Sequence, residues 1–282
     1  MNPTSGKAKI ETQVLVLGLP RCATTSLATA LASDAINIQP VLHAADSGLN
    51  KERRDLIMEL CLAGPRNAAR RRANLGQIVN GYAACTETLN VFADDLVDLY
   101  PGAKLILNTR PDTDTNTLNA PTKTKADFDE PTAAAVAWAQ SCNDAIAFFT
   151  SPWALAVCWM LGSYRFWWHR YRLQTDIWRR RGLIAHHVEA YEWRWWCRRL
   201  PLLAPKGAKW MVPEFYDRYN AWIQDEAAKR GRELLVWHPG MGWGPLCEFL
   251  GKEVPQQEGD EGTPLPHGNE IAKQQEQATR LI

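Results

Sequence analysis

Residues 14–27 have the sequence VLVLGLPRCATTSL, in which a short apolar run is followed by a turn and by the start of a helix. The run at 14–17 is continuously apolar, as buried strands of parallel sheets are. Residues 18–20, Gly-Leu-Pro, end the run, because glycine and proline favour turns. Residues 24–31 then have a helical pattern with hydroxyl side chains in the first turn. A strand, a turn and a helix in this order open a parallel α/β unit.

Similar units recur along the chain. Further strands are predicted at 36–42, 104–109 and 234–237, and a polar loop at 111–131. Helices are predicted at 50–72 with a break at 64–65, and at 88–99, 132–149, 182–200 and 213–230, the last capped by Gly231. We therefore expect an α/β fold of three layers, a parallel sheet flanked by helices, formed as a single domain by residues 1–282.

Charge balance, cysteine spacing and the first residues of the chain argue against several classes of protein. The chain has 32 basic and 31 acidic residues, so a cationic surface for nucleic acid is not expected. Seven scattered cysteines without a C-x-x-C pair argue against disulfides and structural zinc, and His186 and His187 are adjacent and make a poor metal pair. The first 12 residues lack the apolar stretch of a signal peptide. These features predict a cytoplasmic protein with reduced thiols and no bound metal.

The turn at 18–26 is a candidate anion site. Its backbone N–H groups and the helix N-terminus would face an anion, and Arg21 adds a positive charge. A nucleoside triphosphatase loop requires G-K where this chain has Ala23 and Thr24, and the dinucleotide pattern G-x-G-x-x-G is absent. The alternative is an ordinary strand-to-helix turn capped by threonine.

Residues 17–27 resemble the loop G-L-P-R-T-G-T-T-S-L of the sulfotransferase-like P-loop proteins common in fungi. Leu42-His43 is similar to the family's Y-H, Thr86-Glu87 to its T-D, and residues 100–110 to its Y-P-x-A-K-V-I-L-T-x-R. Segments between 234 and 269 also follow the family's order, whereas residues 111–231 match only loosely. The resemblance therefore covers most of the chain.

The resemblance implies a transferase that moves a sulfuryl group from 3′-phosphoadenosine 5′-phosphosulfate (PAPS) to an alcohol or phenol. It implies that Arg21 neutralises charge on the bridging oxygen and that Arg110 holds the 3′-phosphate, beyond the carboxyl end of its strand. The loop would bind the 5′-phosphosulfate through Gly18, Arg21, Cys22, Ala23, Thr24, Thr25 and Ser26.

Two residues are candidates for the base that removes the acceptor's proton. Glu87 stands where the family has Asp, and His43 matches the family's His. The alternative for His43 is a hydrogen-bonded core histidine. The alternative for Glu87 is an acid at a helix N-terminus, where the helix dipole favours it.

The sequence departs from the family at several donor-site positions. Pro111 replaces the Asp after Arg110, and the Ser that helps to bind the 3′-phosphate is missing, with Thr117 beside its expected position. The loop Gly is Ala23, and the Pro of the T-D-x-P motif is Leu89. A pocket for another anion, such as a diphosphate or a carboxylate, tolerates these changes better than the sulfate donor does.

The aromatic residues are unevenly distributed. All 13 Trp lie at or after Trp138, and residues 165–199 interleave nine Arg with six Trp. The helical, Trp/Arg-rich subregion at 138–200 is compatible with a lid over a flat apolar substrate, with a membrane-facing surface, or with single-stranded nucleic acid. The fourth interpretation is an aromatic core with solvated arginines. Nucleic acid is the least favoured of the four.

One segment raises the question of membrane contact. Residues 145–164 carry no charge over about the length of a spanning helix. Residues 150–152 and 162–163 interrupt the segment, and basic residues follow it, as in segments that lie on a membrane surface. We favour a buried core or a substrate wall, with peripheral membrane contact as the alternative.

Three functional hypotheses follow. The first is a sulfotransferase-like transferase that acts on a hydrophobic hydroxylated small molecule, of the kind made in secondary metabolism. The second is a repurposed fold that catalyses a proton transfer, dehydration or cyclisation without PAPS. The third is a non-catalytic, membrane-associated protein.

Overall fold

The computed structural model describes residues 10–43, 51–63, 67–87, 89–111, 130–149, 178, 183 and 212–255. Within them a five-stranded, all-parallel sheet has the order β2-β3-β1-β4-β5. The strands are β1 Val14–Val16, β2 Val41–Leu42, β3 Ala84–Thr86, β4 Lys104–Asn108 and β5 Leu234–Trp237. Because all strands run in the same direction, their carboxyl ends meet at one edge of the sheet.

Helices cover both faces of this sheet. They are α1 Thr24–Ala32, α2 Lys51–Ala63, α3 Ala68–Val79, α4 Ala93–Leu99, α5 Ala133–Phe149, α6 Pro213–Lys229 and α7 Trp243–Leu250. Short 3₁₀ turns at Asn90–Phe92 and Pro239–Met241 precede α4 and α7. The predicted three-layer α/β fold is thus confirmed.

Alternating side chains of the strands separate two apolar cores. Leu15, Leu105 and Leu107 are buried on the face covered by α2 to α6. Val16 and Ile106 are buried on the opposite face, against α1 and α7. Since successive strand residues point to opposite faces, the continuous apolar runs of β1 and β4 supply both cores.

The sequence prediction differs from the structure at three elements. It missed β3, whose three residues Ala-Cys-Thr lack an apolar β-branched run, although β3 pairs with both β1 and β2. It also missed α7 and placed a strand over 36–42, of which only Val41–Leu42 is extended. The predicted break at 64–65 lies outside the described residues. The other predicted strands and helices of the described residues are confirmed to within a few residues.

The helices α5 and α6 are joined by polar contacts and by aromatic packing. Asp217 of α6 accepts hydrogen bonds from the backbone N–H and the hydroxyl of Thr132, at 2.9 and 2.8 Å. The Thr132 hydroxyl in turn accepts from Ala135 N–H and so caps α5. Trp138 of α5 packs on Tyr216 of α6 with a ring-centroid distance of 5.5 Å. These contacts fix α5 against α6.

Much of the aromatic and basic subregion lies outside the described residues. This applies to the predicted helix at 182–200 apart from Leu183, to Thr117, to His186 and His187, and to residues 150–164 of the uncharged segment. Trp178 is described, and its ring lies 4.7 Å from that of Phe215. In the part of the chain that the structure describes, no helix has the length and apolarity needed to cross a membrane.

Candidate active site

The carboxyl edge of the sheet gathers most of the predicted site residues. The anion loop at 18–23 follows β1, His43 follows β2, Glu87 follows β3, and Arg110 lies just beyond β4. Because the strands are parallel, residues far apart in sequence become neighbours at this edge. Open α/β sheets bind their ligands there.

Asn108, the last residue of β4, closes the anion loop. Its Oδ1 accepts a hydrogen bond from Gly18 N at 3.0 Å, and its Nδ2 donates to Cys22 O at 2.7 Å. Asn108 is fully buried, so these bonds do not compete with water. An added Cβ on Gly18 would lie 2.2 Å from the carbonyl and side-chain oxygens of Asn108. The glycine is therefore required by close packing against β4.

The loop backbone has an unusual conformation. Arg21 and Ala23 have φ angles of 67° and 57°, in the left-handed region that L residues other than Asn and Asp seldom adopt. Ala23 precedes α1 and provides no side-chain cap for it. The first N–H groups of a helix carry a partial positive charge and can bind an anion. This conformation is consistent with an anion-binding turn.

Thr24 joins the two candidate bases. Its hydroxyl donates a short hydrogen bond to Oε2 of Glu87. His43 Nε2 lies 3.4 Å from the Thr24 hydroxyl oxygen and 3.6 Å from Glu87 Oε2. The side chains of His43 and Glu87 are 18% and 17% exposed, so the pair is accessible from the edge of the sheet. The Thr24 hydroxyl contacts both side chains, and a carboxylate and an imidazole are each able to accept the proton of a bound hydroxyl group.

Glu87 has a strained backbone. Its φ angle is 57°, and its N–H donates to Val16 O of the neighbouring strand at 3.4 Å. A non-glycine residue in this conformation costs free energy, and such residues cluster at functional sites. Glu87 thus combines a left-handed backbone with a side chain that accepts a hydrogen bond from the Thr24 hydroxyl.

The two arginines of the predicted site meet at the loop. Arg110 Nε donates to Arg21 O at 3.2 Å, and Arg21 Nε donates to the Ser141 hydroxyl of α5 at 3.1 Å. Burial raises the pKa of the Cys142 thiol to about 12. The guanidinium groups of Arg21 and Arg110 lie close enough to oppose part of this rise, because they stabilise the thiolate. Positive charge is therefore concentrated beside the loop, on the side that faces α5.

Aromatic side chains of α5 and α6 hold the loop from behind. Trp138 Nε1 donates to Pro20 O at 2.8 Å, and the Tyr219 hydroxyl donates to Leu17 O at 2.6 Å. The Tyr216 hydroxyl accepts from Arg110 N at 2.8 Å. All three aromatic side chains are buried, with exposures of 3% or less. The backbone carbonyls of the loop are thus bound inward, and its opposite side faces the edge of the sheet.

The predicted loop residues differ in what they can offer to a ligand. Cys22 is 1% exposed, and burial raises the pKa of its thiol far above the ordinary value, so its side chain is a neutral part of the core. Ser26 is buried, and Thr25 is half-buried. Cys22 can therefore bind an anion through its backbone N–H but not through its side chain. In the described ranges no group of His, Cys, Asp or Glu is arranged to hold a metal ion.

Sequence reasoning missed the residues that support the loop. Asn108, Trp138 and Tyr216 each contact a loop residue or Arg110, and none was a candidate. A polar side chain at the end of a buried strand was a usable signal for Asn108, because such a residue is placed at the ligand-binding edge. No comparable signal marked Trp138 or Tyr216, since the pattern shows only an apolar helix face.

Two comparisons relate the sequence of the chain to known proteins. The sequence pattern described as "Sulfotransferase domain" matches residues 13–116 and 134–274. The chain is also similar to "Ava biosynthesis cluster protein M" of Aspergillus versicolor, with 24% identity over 255 residues, 87% of this chain and 78% of the relative. The family match includes all five strands, the anion loop and the residues at the carboxyl edge of the sheet. Because the match covers most of the chain, the chain belongs to the sulfotransferase domain family.

Proposed function

We propose that this protein is a sulfotransferase-like transferase that moves a sulfuryl group from PAPS to a hydroxyl of a hydrophobic small molecule. The observation that carries the proposal is the meeting of the anion loop, Arg21 and Arg110 with Glu87 and His43 at one sheet edge. The similarity to a biosynthesis cluster protein supports a role in secondary metabolism.

The residues at this edge fit a donor with two anionic groups. The turn before α1 offers backbone N–H groups and the helix N-terminus, and Arg21 adds a guanidinium to the same loop. Arg110 offers a second guanidinium that is linked to the loop through Arg21 O. These residues would hold the 5′-phosphosulfate and the 3′-phosphate, respectively. When bound, the donor supplies the sulfuryl group and a nucleotide leaving group.

The residues of the chain have separate roles in this reaction. Glu87 or His43 accepts the proton of the acceptor hydroxyl, and Thr24 holds the Glu87 carboxylate in place. Arg21 stabilises negative charge that develops on the departing nucleotide. Trp138 and Tyr216 form part of an apolar layer behind the loop, which limits water at the anion site.

Calorimetric titration with 3′-phosphoadenosine 5′-phosphate (PAP) tests the donor assignment. We expect the wild-type protein to bind PAP. Arg21→Ala or Arg110→Ala should lower the affinity for PAP at least tenfold, since each variant loses a charge-assisted contact. Arg70→Ala is the matched control, because Arg70 pairs with exposed Glu59 away from the site. The absence of binding to the wild-type protein at millimolar PAP would overturn the donor assignment.

A second candidate function rests on the contact between Thr24 and Glu87. The Thr24 hydroxyl donates its hydrogen bond to the Glu87 carboxylate, so an anion bound in the loop would lie beside a negative charge and be repelled by it. A proton-transfer reaction, such as a dehydration or cyclisation without PAPS, uses the Glu87 and His43 pair without that repulsion. Turnover of a hydroxylated apolar substrate in the absence of any nucleotide would support this second function over the first.

A further inference from the structure

The Tyr216 side chain lies between the two parts of the predicted anion site. Its hydroxyl accepts a hydrogen bond from Arg110 N at 2.8 Å. Its ring packs on Trp138, whose indole N–H donates to Pro20 O of the loop. Tyr216 therefore connects the residue that lies beyond β4 with the loop that follows β1.

The side chain of Tyr216 is fixed by burial and by aromatic packing. The residue is 3% exposed, and its ring packs against Trp138, which in turn donates to Pro20 O. Burial, the main cause, raises the pKa of Tyr216 far above its ordinary value, so the hydroxyl stays protonated. As a neutral hydroxyl it can accept from Arg110 N and donate its own proton at the same time.

We propose that Tyr216 is a positioning residue that fixes Arg110 relative to the anion loop. It thereby sets the spacing between the two anion-binding points and favours ligands that carry anionic groups at both the 5′ and 3′ positions. The inference rests on the proposed function, because it assigns one anionic group to the loop and the other to Arg110. The proposed role is distinct from binding, since Tyr216 acts through Arg110.

The neighbouring aromatic residues do not share this role. Tyr219 donates to Leu17 O and Asn90 O, both outside the turn that precedes α1. The indole N–H of Trp138 donates to Pro20 O of the loop. Loss of either bond leaves the acceptor for the Arg110 backbone N–H in place. Loss of the Tyr216 hydroxyl instead removes that acceptor.

Comparison of two nucleotides tests the inference. Calorimetry with PAP and with adenosine 5′-monophosphate (AMP) gives an affinity ratio that reports on the 3′-phosphate. We expect Tyr216→Phe to lower the affinity for PAP about tenfold and that for AMP less than twofold, which reduces the ratio. Tyr82→Phe is the matched control, because it removes a tyrosine hydroxyl that accepts from Arg53 far from the site, and it should leave the ratio unchanged.

A double-mutant cycle separates positioning from general destabilisation. In an Arg110→Ala background the Tyr216→Phe change should no longer alter the ratio, because the group it positions is gone. Circular dichroism confirms that each variant is folded, and Tyr216→His supplies a second variant with a hydrogen-bonding ring. If the wild-type protein prefers PAP and both Tyr216 variants have the same PAP-to-AMP affinity ratio as the wild type, this inference alone is overturned. A wild-type protein that binds neither nucleotide overturns the proposed function and this inference with it.

Discussion

The hydroxyl of Thr24 donates a hydrogen bond to the carboxylate of Glu87, although 63 positions separate the two residues in the chain. Thr24 begins α1 immediately after the anion loop, and Glu87 follows β3, the strand beside β1. The parallel register of β1 and β3 places these two ends at the same level, since Val16 pairs with Thr86. The anion loop and the candidate base are thus parts of one hydrogen-bonded unit.

The first prediction concerns Glu87 as the base. Glu87→Gln keeps the size of the side chain and removes its capacity to take a proton, so we expect kcat to fall about 10²–10⁴-fold. The free energy of unfolding should change by less than about 1 kcal/mol, because the amide oxygen still accepts from Thr24. Turnover of a hydrophobic hydroxylated acceptor measures the first quantity, and urea denaturation the second.

Glu59→Gln is the control for this substitution. Glu59 pairs with Arg70 on the exposed surface of α2 and α3, where an ion pair contributes little to stability. His43→Ala completes the comparison, because His43 contacts both Thr24 and Glu87. Full activity in Glu87→Gln together with a large loss in His43→Ala would assign the base to His43 instead.

The second prediction concerns the contact between Gly18 and β4. Gly18→Ala should destabilise the protein by at least about 3 kcal/mol, since the new Cβ would lie 2.2 Å from backbone and side-chain oxygens of Asn108. Gly102→Ala is the matched control: its Cβ would meet no atom within 4 Å, and we expect a change within about 0.5 kcal/mol. Chemical denaturation of both variants gives the comparison. Equal effects would contradict the close packing of Gly18.

The third prediction concerns Asn108. Asn108→Ala removes the acceptor of Gly18 N–H and the donor to Cys22 O, two bonds buried from water. Each unpaired group costs about 1–3 kcal/mol, so the free energy of unfolding should fall by about 2–6 kcal/mol. Hydrogen exchange should show the loss locally, as faster exchange of the Gly18 amide. An unchanged exchange rate at Gly18 would show that the amide is protected by another partner.

The fold was largely predictable because its central strands carry strong patterns. β1, β4 and β5 are continuous apolar runs between turn residues, and such runs identify buried parallel strands. β3 was not predictable from its own residues, since Ala84, Cys85 and Thr86 have no distinctive periodicity. Its strand conformation comes from pairing with β1 and β2 on both sides, which is tertiary context overriding local propensity.

The candidate site was predictable where residues correspond to motif positions of the family that the chain resembles. Arg21, Glu87, His43 and Arg110 stand at such positions, and the structure brings them together after parallel strands. The contact of Tyr216 with Arg110 was not predictable, because 106 positions separate them and α6 lies beyond the weakly patterned middle of the chain. A hydrogen bond across such a distance depends on how two helices pack, which the sequence pattern does not specify.

The fourth prediction concerns the thiols around the sheet. Burial raises the pKa values of Cys85 and Cys142 to about 12 and that of Cys22 further still, so all three remain protonated at pH 8. Because the thiolate is the reactive form, we expect no alkylation of these three residues in the native protein. Iodoacetamide labelling with peptide mass mapping tests this, and labelling in urea is the control. Rapid labelling of native Cys22 would mean that the anion loop opens readily.

The fifth prediction concerns Ala23, which occupies the position of the family's loop glycine. Its φ angle of 57° costs an L residue about 1–2 kcal/mol, whereas glycine adopts it freely but loses more entropy on folding. Ala23→Gly should therefore raise the free energy of unfolding by about 0.5–1 kcal/mol. Ala28→Gly, within α1, should lower it by about 1 kcal/mol, because glycine is unfavourable inside a helix. Denaturation curves of the two variants should thus shift in opposite directions, and a loss of stability in both would show that Ala23 is not strained.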